Sequence, residues 1–251
     1  MKLSKKKLFA VSVVTIMIAI LSMSSLAWFS DADSVTNNFG VAGGDDAEKI
    51  FSIDVMELVD TDGDGVYDAT FGYDGQNPIV NGFTYENILP GDWLFKRPST
   101  KNTSTLYDQW ICMKVTFDNA NDLVNTFVYK YKIHPLDMLY TVNGTDYNGP
   151  KTKLTQSANW VWAEDETAVD GVNDTITYVF YYKHKLQKDA SAVLFTWVNI
   201  PWQLRQQDMA LVENGVLQMT VTGEAIQTKN IPADNAKDAF AIVRNDQTIL
   251  P

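Results

Sequence analysis

Short apolar or alternating runs, each long enough for a strand and little more, recur along this chain with turn residues between them. They span residues 51–59, 92–95, 110–117, 127–133, 160–163, 175–182, 192–200 and 215–225. In the last, Leu217, Met219 and Val221 alternate with Gln218, Thr220 and Thr222, so an extended chain has one apolar and one polar face. In 175–182, Ile176, Tyr178, Phe180 and Tyr182 alternate with Thr175, Thr177, Val179 and Tyr181, a strand with two usable faces. Pro and Gly punctuate the runs at Pro90-Gly91, Asn143-Gly144, Gly149-Pro150 and Asn214-Gly215. This spacing predicts an all-β sandwich and not alternating strand–helix units.

Aromatic residues make up 12% of the chain, seven of them Trp, and favour strands over helices. Helical spacing is confined to a brief turn at 208–212 and a small helix at 233–243, where Ala236, Ala239, Phe240 and Val243 share a face after Pro232. The polar stretch 140–157 reads as an inserted loop. The single cysteine, Cys112, lies in the apolar run Trp110-Ile111-Cys112-Met113 and is expected in the core. It has no disulfide partner, so stability must come from packing.

The first residues predict export. Lys2, Lys5, Lys6 and Lys7 precede 19 largely apolar residues from Leu8 to Leu26, and small Ser25 and Ala27 stand just before bulky Trp28. Positive charge stays on the cytoplasmic side while the apolar run inserts, and small residues suit a signal peptidase cutting between Ala27 and Trp28. An uncleaved anchor is the alternative, since a run of this length just spans a bilayer. Three segments follow: a signal peptide at 1–27, an N-terminal segment at 28–49 and the sandwich at 50–251. Cleavage removes four of the 20 basic residues and none of the 31 acidic ones, shifting the net charge from −11 to −15. Such a surface repels nucleic acid and anionic headgroups, so membrane contact is expected only through the signal.

Ala27-Trp28-Phe29-Ser30-Asp31, then Ile88-Leu89-Pro90-Gly91-Asp92 with Asn102-Thr103-Ser104, then Val221-Thr222-Gly223-Glu224-Ala225-Ile226-Gln227, stand in an order that resembles the exported TasA/camelysin family. The resemblance implies a jelly-roll sandwich, a signal cut by a SipW-type peptidase and secretion from a Gram-positive bacterium. It also implies assembly with itself, or with related subunits, into biofilm-matrix fibres. In such fibres the segment after the cleavage site completes the sheet of the next subunit. In this chain Phe29, Val35, Phe39 and Val41 fall on one face of an extended segment, with Ser30, Ala32, Ser34 and Thr36 on the other. That pattern suits a donor strand, or alternatively the first strand of the chain's own sandwich.

One motif has metal-ligand spacing. Asp60, Asp62 and Asp64 stand at alternate positions, Gly65 allows a tight turn, Val66 offers a carbonyl and Asp68 a further carboxylate, a set that suits Ca²⁺. Phe71 stands where an EF-hand places its bidentate Glu, so a last ligand must come from Asp74 or Glu57. A solvated Asp-Gly hairpin turn is the alternative. Camelysin-type relatives are described as metalloproteases, but here the only histidines, His134 and His184, are far apart and lie in no His-Glu-x-x-His helix. They read as surface or edge residues, and no nucleophile elbow or phosphate loop appears. The expectation is therefore a non-enzymatic secreted fibre subunit. A camelysin-type protease and a glycan-binding module are the alternatives, the latter through Trp160, Trp162, Trp197 and Trp202, which otherwise read as core.

Overall fold

The computed structural model of the chain describes residues 30–34, 53–59, 69–73, 78–79, 88–104, 107–142, 149–205, 208 and 218–245. Every strand pairing within them is antiparallel. One sheet runs β1 (Ser30–Ser34), β14 (Met219–Gln227), β6 (Gln109–Asp118), β11 (Thr175–Tyr182) and β10 (Ala168–Asp170), with β9 (Trp160–Trp162) on the other half of β11. The second runs β4 (Pro78–Ile79), β3 (Ala69–Tyr73), β2 (Ile53–Val59), β5 (Trp93–Asn102), β13 (Trp197–Asn199), β7 (Leu139–Val142) and β8 (Lys151–Lys153), with β12 (Ser191–Val193) also beside β5.

The two sheets close on one core. Met113, Val115 and Phe117 of β6, Tyr178 and Phe180 of β11, and Val221 and Ala225 of β14 meet Ile53, Val55, Leu139 and Val198 of the second sheet. Phe117, Tyr178, Phe180 and Leu139 are all but fully buried, each contributing about 1.5–3 kcal/mol over its exposed state. The six-stranded sheet is also apolar on its outer face, which explains the two-faced pattern of β11. There Trp110, Cys112, Val179, Tyr181 and Ile226 pack under a C-terminal helix, Ala236–Asn245, through its Ala236, Ala239 and Phe240. Asn235 caps that helix: its Oδ1 accepts the Asp238 N–H at 2.9 Å while its amide donates to the Asp238 carboxylate at 2.7 Å.

Two sequence motifs serve turns. At Leu89-Pro90-Gly91-Asp92 the Asp92 N–H bonds the Leu89 carbonyl at 3.1 Å and Gly91 takes φ +97°, the left-handed conformation a type II turn needs after proline. Asn102 is fully buried, donating from its amide to the carbonyls of Tyr107 and Leu186 and accepting from Ser104 N–H and Oγ.

Several expectations change. Residues 127–133, read as a strand, are largely helical: Ala120–Leu123 is α-helix and Val124–Lys130 continues as π-helix. The aromatic alternation of Phe127, Tyr129 and Tyr131 suggested period two, but the buried set Ala120, Leu123 and Phe127 has helical spacing, and Tyr129 is exposed. The 192–200 run is two strands, β12 and β13. The break falls opposite Pro98 of β5, whose carbonyl accepts Leu194 N–H but which has no N–H to return. The expected loop 140–157 contains β8 and a 3₁₀ turn, Leu154–Gln156. Cys112 is buried as expected, and burial, reinforced by the Glu224 carboxylate, pushes its thiol pKa up to about 12.

Candidate functional site

The edge of the six-stranded sheet is built on β14, which pairs along its whole length with β6, from Met219 opposite Phe117 to Gln227 opposite Gln109. On its other side it pairs with β1, from Ser30 opposite Ile226 to Ser34 opposite Thr222. β1 is the last strand of that sheet in the described residues, and its ladder is made by main-chain groups. Without β1, this stretch of β14 would present a row of unpaired N–H and C=O groups.

The residues of β14 fit it to this position. Val221 and Ala225 face the shared core, and Gly223 between them lets the sheets approach: a Cβ there would stand 2.7 Å from Cγ2 of Val55. On the outer face Ile226 lies beneath the C-terminal helix, and Glu224 forms ion pairs with Lys114 and, at 3.0 Å, with Arg244. Arg244 also reaches Glu166 at 3.0 Å and the Tyr181 hydroxyl at 2.8 Å, and that hydroxyl donates to Glu166 at 2.7 Å. Burial alone would raise the Glu224 pKa, but Lys114 and Arg244 outweigh it and hold the carboxyl below its ordinary value. The strand is thus clamped on both faces while its edge offers only backbone.

The signal-cleavage residues Ala27 and Trp28, the donor-strand residues Phe29, Val35, Phe39 and Val41, and the calcium set Asp60, Asp62, Asp64, Val66 and Asp68 lie outside the described residues. Their flanks are described. β1 occupies the interval between Phe29 and Val35, and the calcium segment joins β2 to β3, which pair with Val59 opposite Ala69. Of its two candidate last ligands, Glu57 is 4% exposed and ion-paired with Lys96, so it is already engaged, while Asp74 is outside the described residues.

His134 does not end a strand. It caps the 3₁₀ turn Pro135–Met138, its Nδ1 accepting the Leu136 N–H at 3.2 Å, and its ring lies 5.3 Å from that of Trp162 and 5.5 Å from that of Tyr178. His184 is exposed beside Tyr182. Among the described residues no group of three or more His, Cys, Asp or Glu side chains is placed to hold a metal ion. Trp160 and Trp197 are buried and Trp162 half-buried, but Trp202, also read as core, is 75% exposed after Pro201.

The chain matches no known protein family, no curated protein and no solved structure. No helix of the described residues is long and apolar enough to cross a membrane. Within this chain β1 pairs with the chain's own β14, the arrangement of the alternative in which the segment is the first strand of its own sandwich; sequence reasoning found β14 as a closing strand but not as the partner of β1.

Proposed function

We propose that the mature chain is a secreted structural subunit of bacterial cell-surface or biofilm-matrix fibres, of the TasA/camelysin kind, which assembles by donating its N-terminal strand to the next subunit. The observation that carries this reading is the place of β1: an N-terminal strand at a sheet edge, paired with β14, and followed by 18 residues before β2 begins. A strand held by a main-chain ladder can exchange its own β14 for a neighbour's without changing the register. Those 18 residues, at about 3.3 Å each when extended, reach about 60 Å, enough to bridge two subunits. Donor and acceptor surfaces differ, so the contact is head-to-tail and propagates as a filament. A jelly-roll connection of the strands belongs to the same reading, as does a Ca²⁺ held by Asp60, Asp62, Asp64, Val66 and Asp68. None of these roles requires a catalytic centre.

Electron microscopy of the mature protein beginning at Trp28 is expected to show fibres, and a chain lacking residues 28–43 to remain a folded monomer that does not join them. Polymerisation of the truncated chain overturns the reading, as does an intact mature chain that stays monomeric across pH and calcium. For the ion, calcium at 100-fold excess over its Kd should raise stability by about 2.7 kcal/mol, an effect lost in D62N/D64N.

A further inference from the structure

The ion pairs of this protein are unevenly placed along the strands. In the body of the sandwich, lysines and arginines meet carboxylates: Lys96 with Glu57, Lys114 with Glu224, Lys153 with Asp137, Lys237 with Asp165 and Arg244 with Glu166. At the end where β11 passes to β12 they do not. Lys183, Lys185 and Lys188 lie in that connection, Lys101 pairs with Ser191 near the end of β5, and Lys229 follows β14. These groups share one end of the molecule because Leu186 bridges Gln109, the Asp189 N–H bonds the Asn102 carbonyl at 2.9 Å, and the Lys229 Nζ lies 5.5 Å from the centre of the Tyr107 ring. None of the five lysines forms a salt bridge among the described residues. Among the described residues they outnumber the acids there, Asp54, Asp108 and Asp189, and exposed His184 stands among them.

The opposite end of the same sheet has the opposite sign. Asp118 ends β6 and lies across from Thr175 of β11, which in turn lies across from Asp170 of β10. Asp174 holds the start of the next helical segment, accepting Ala120 N–H at its carbonyl and Asn121 N–H at its carboxylate, both at 2.9 Å, and Asp122 follows on that segment. Neither 116–126 nor 163–176 contains a lysine or arginine. None of these four aspartates forms a salt bridge among the described residues.

The topology gives these ends a relation. β1 runs from Ser30, opposite Ile226 near the basic end, to Ser34, opposite Thr222, and so heads toward the acidic end. β2 starts at Ile53, opposite Asn102, at the basic end. Within one chain β1 therefore ends toward the acidic end while β2 begins at the basic end. A β1 lodged on a neighbour's β14 brings those two ends together: it leaves the neighbour toward the neighbour's acidic end, and the donor's own β2 begins at its basic end.

We propose that successive copies of this chain meet end to end, the lysine-rich end of the donor resting on the aspartate-rich end of the acceptor. The proposal rests on strand donation and adds the surface that docks beside it. In a mature chain of net charge −15 two copies repel in most orientations, so this juxtaposition selects the one orientation that strand donation uses.

The test compares elongation of the mature wild type with three variants: K185E/K188E/K229E, D118K/D122K, and both sets combined. Thermal melts establish that each is folded, which the exposed positions of the three lysines and Asp122 favour. Wild-type elongation, followed by light scattering, should slow about tenfold or more between low salt and about 1 M salt, where the Debye length shrinks to about 3 Å. Each single-end variant should elongate at least about tenfold more slowly than wild type at low salt, and the combined variant, complementary again with the signs exchanged, should recover. Single-end variants that elongate at the wild-type rate overturn the charged docking and leave strand donation standing. If those variants also lose binding to poly-L-glutamate, the basic end belongs to an anionic polymer. Charge-dependent elongation that persists in a chain lacking residues 28–43 overturns strand donation instead, and a wild type that never elongates overturns both.

Discussion

At Gly223 the two sheets leave no room for a methyl group, because its nearest neighbour would be Cγ2 of Val55 at 2.7 Å. Val55 is itself fully buried, so the clash must be relieved by moving one sheet. Gly223→Ala is expected to lower stability by about 1–3 kcal/mol in a denaturant titration. Gly223→Ala with Val55→Ala should cost less than the sum of the two single changes, since the methyl group added at 223 takes up the space that truncation of Val55 opens. His134 makes a different contribution. Burial of its ring, against the pull of Asp137 and Glu164, lowers its pKa from 6.5. The unfolded chain therefore takes up the proton more readily than the folded one. The stability that depends on neutral His134 is complete above pH 6.5 and is lost as the pH falls below that value toward the folded pKa. His134→Asn keeps an acceptor for the Leu136 N–H and removes the titration, so its stability should lose that part of the pH slope, as read from melts across this range.

The C-terminal helix is held by a short apolar face and by one arginine near its end. Arg244 joins it to Glu224 on β14, to Tyr181 on β11 and to Glu166 beyond β9. The guanidinium is 40% exposed, so solvent weakens each pair, and Arg244→Met is expected to cost only about 1–2 kcal/mol. Its clearer mark should be faster hydrogen exchange of the helix amides while those of β6 and β11 stay protected. Elements were legible in the sequence to the extent that a single period governed them. Residues 175–182 keep strict alternation on two buried faces, and β11 has those bounds. Leu123 and Phe127 carry the helical face of 120–130, but the aromatic Tyr129 and Tyr131 placed a period of two over it, and tertiary burial decided for the helix. β12 and β13 looked like one run because Leu194 and Phe195 between them are as buried as the strands. The candidate site was legible only as a motif. A backbone ladder carries no side-chain signature, so nothing in Ser30-Asp31-Ala32-Asp33-Ser34 marks β14 as its partner.

On the scale of the whole molecule, the edge of β14 that holds β1 would, under the proposed strand donation, take the same strand from a neighbour in the same register. A synthetic peptide of residues 28–43 in excess should therefore compete for that edge and shorten fibres in electron micrographs, whereas a scrambled peptide should not. A peptide that leaves the length distribution unchanged would argue that β1 never leaves its own β14. The direction of β1 has a mechanical consequence too. In a chain of subunits linked this way, tension enters β1 along its own axis, from the Ser34 side, while β14 is anchored in its sheet by β6. The five residue pairs from Ser30–Ile226 to Ser34–Thr222 are then loaded in shear and must yield together, not open one after another as in a peeled hairpin.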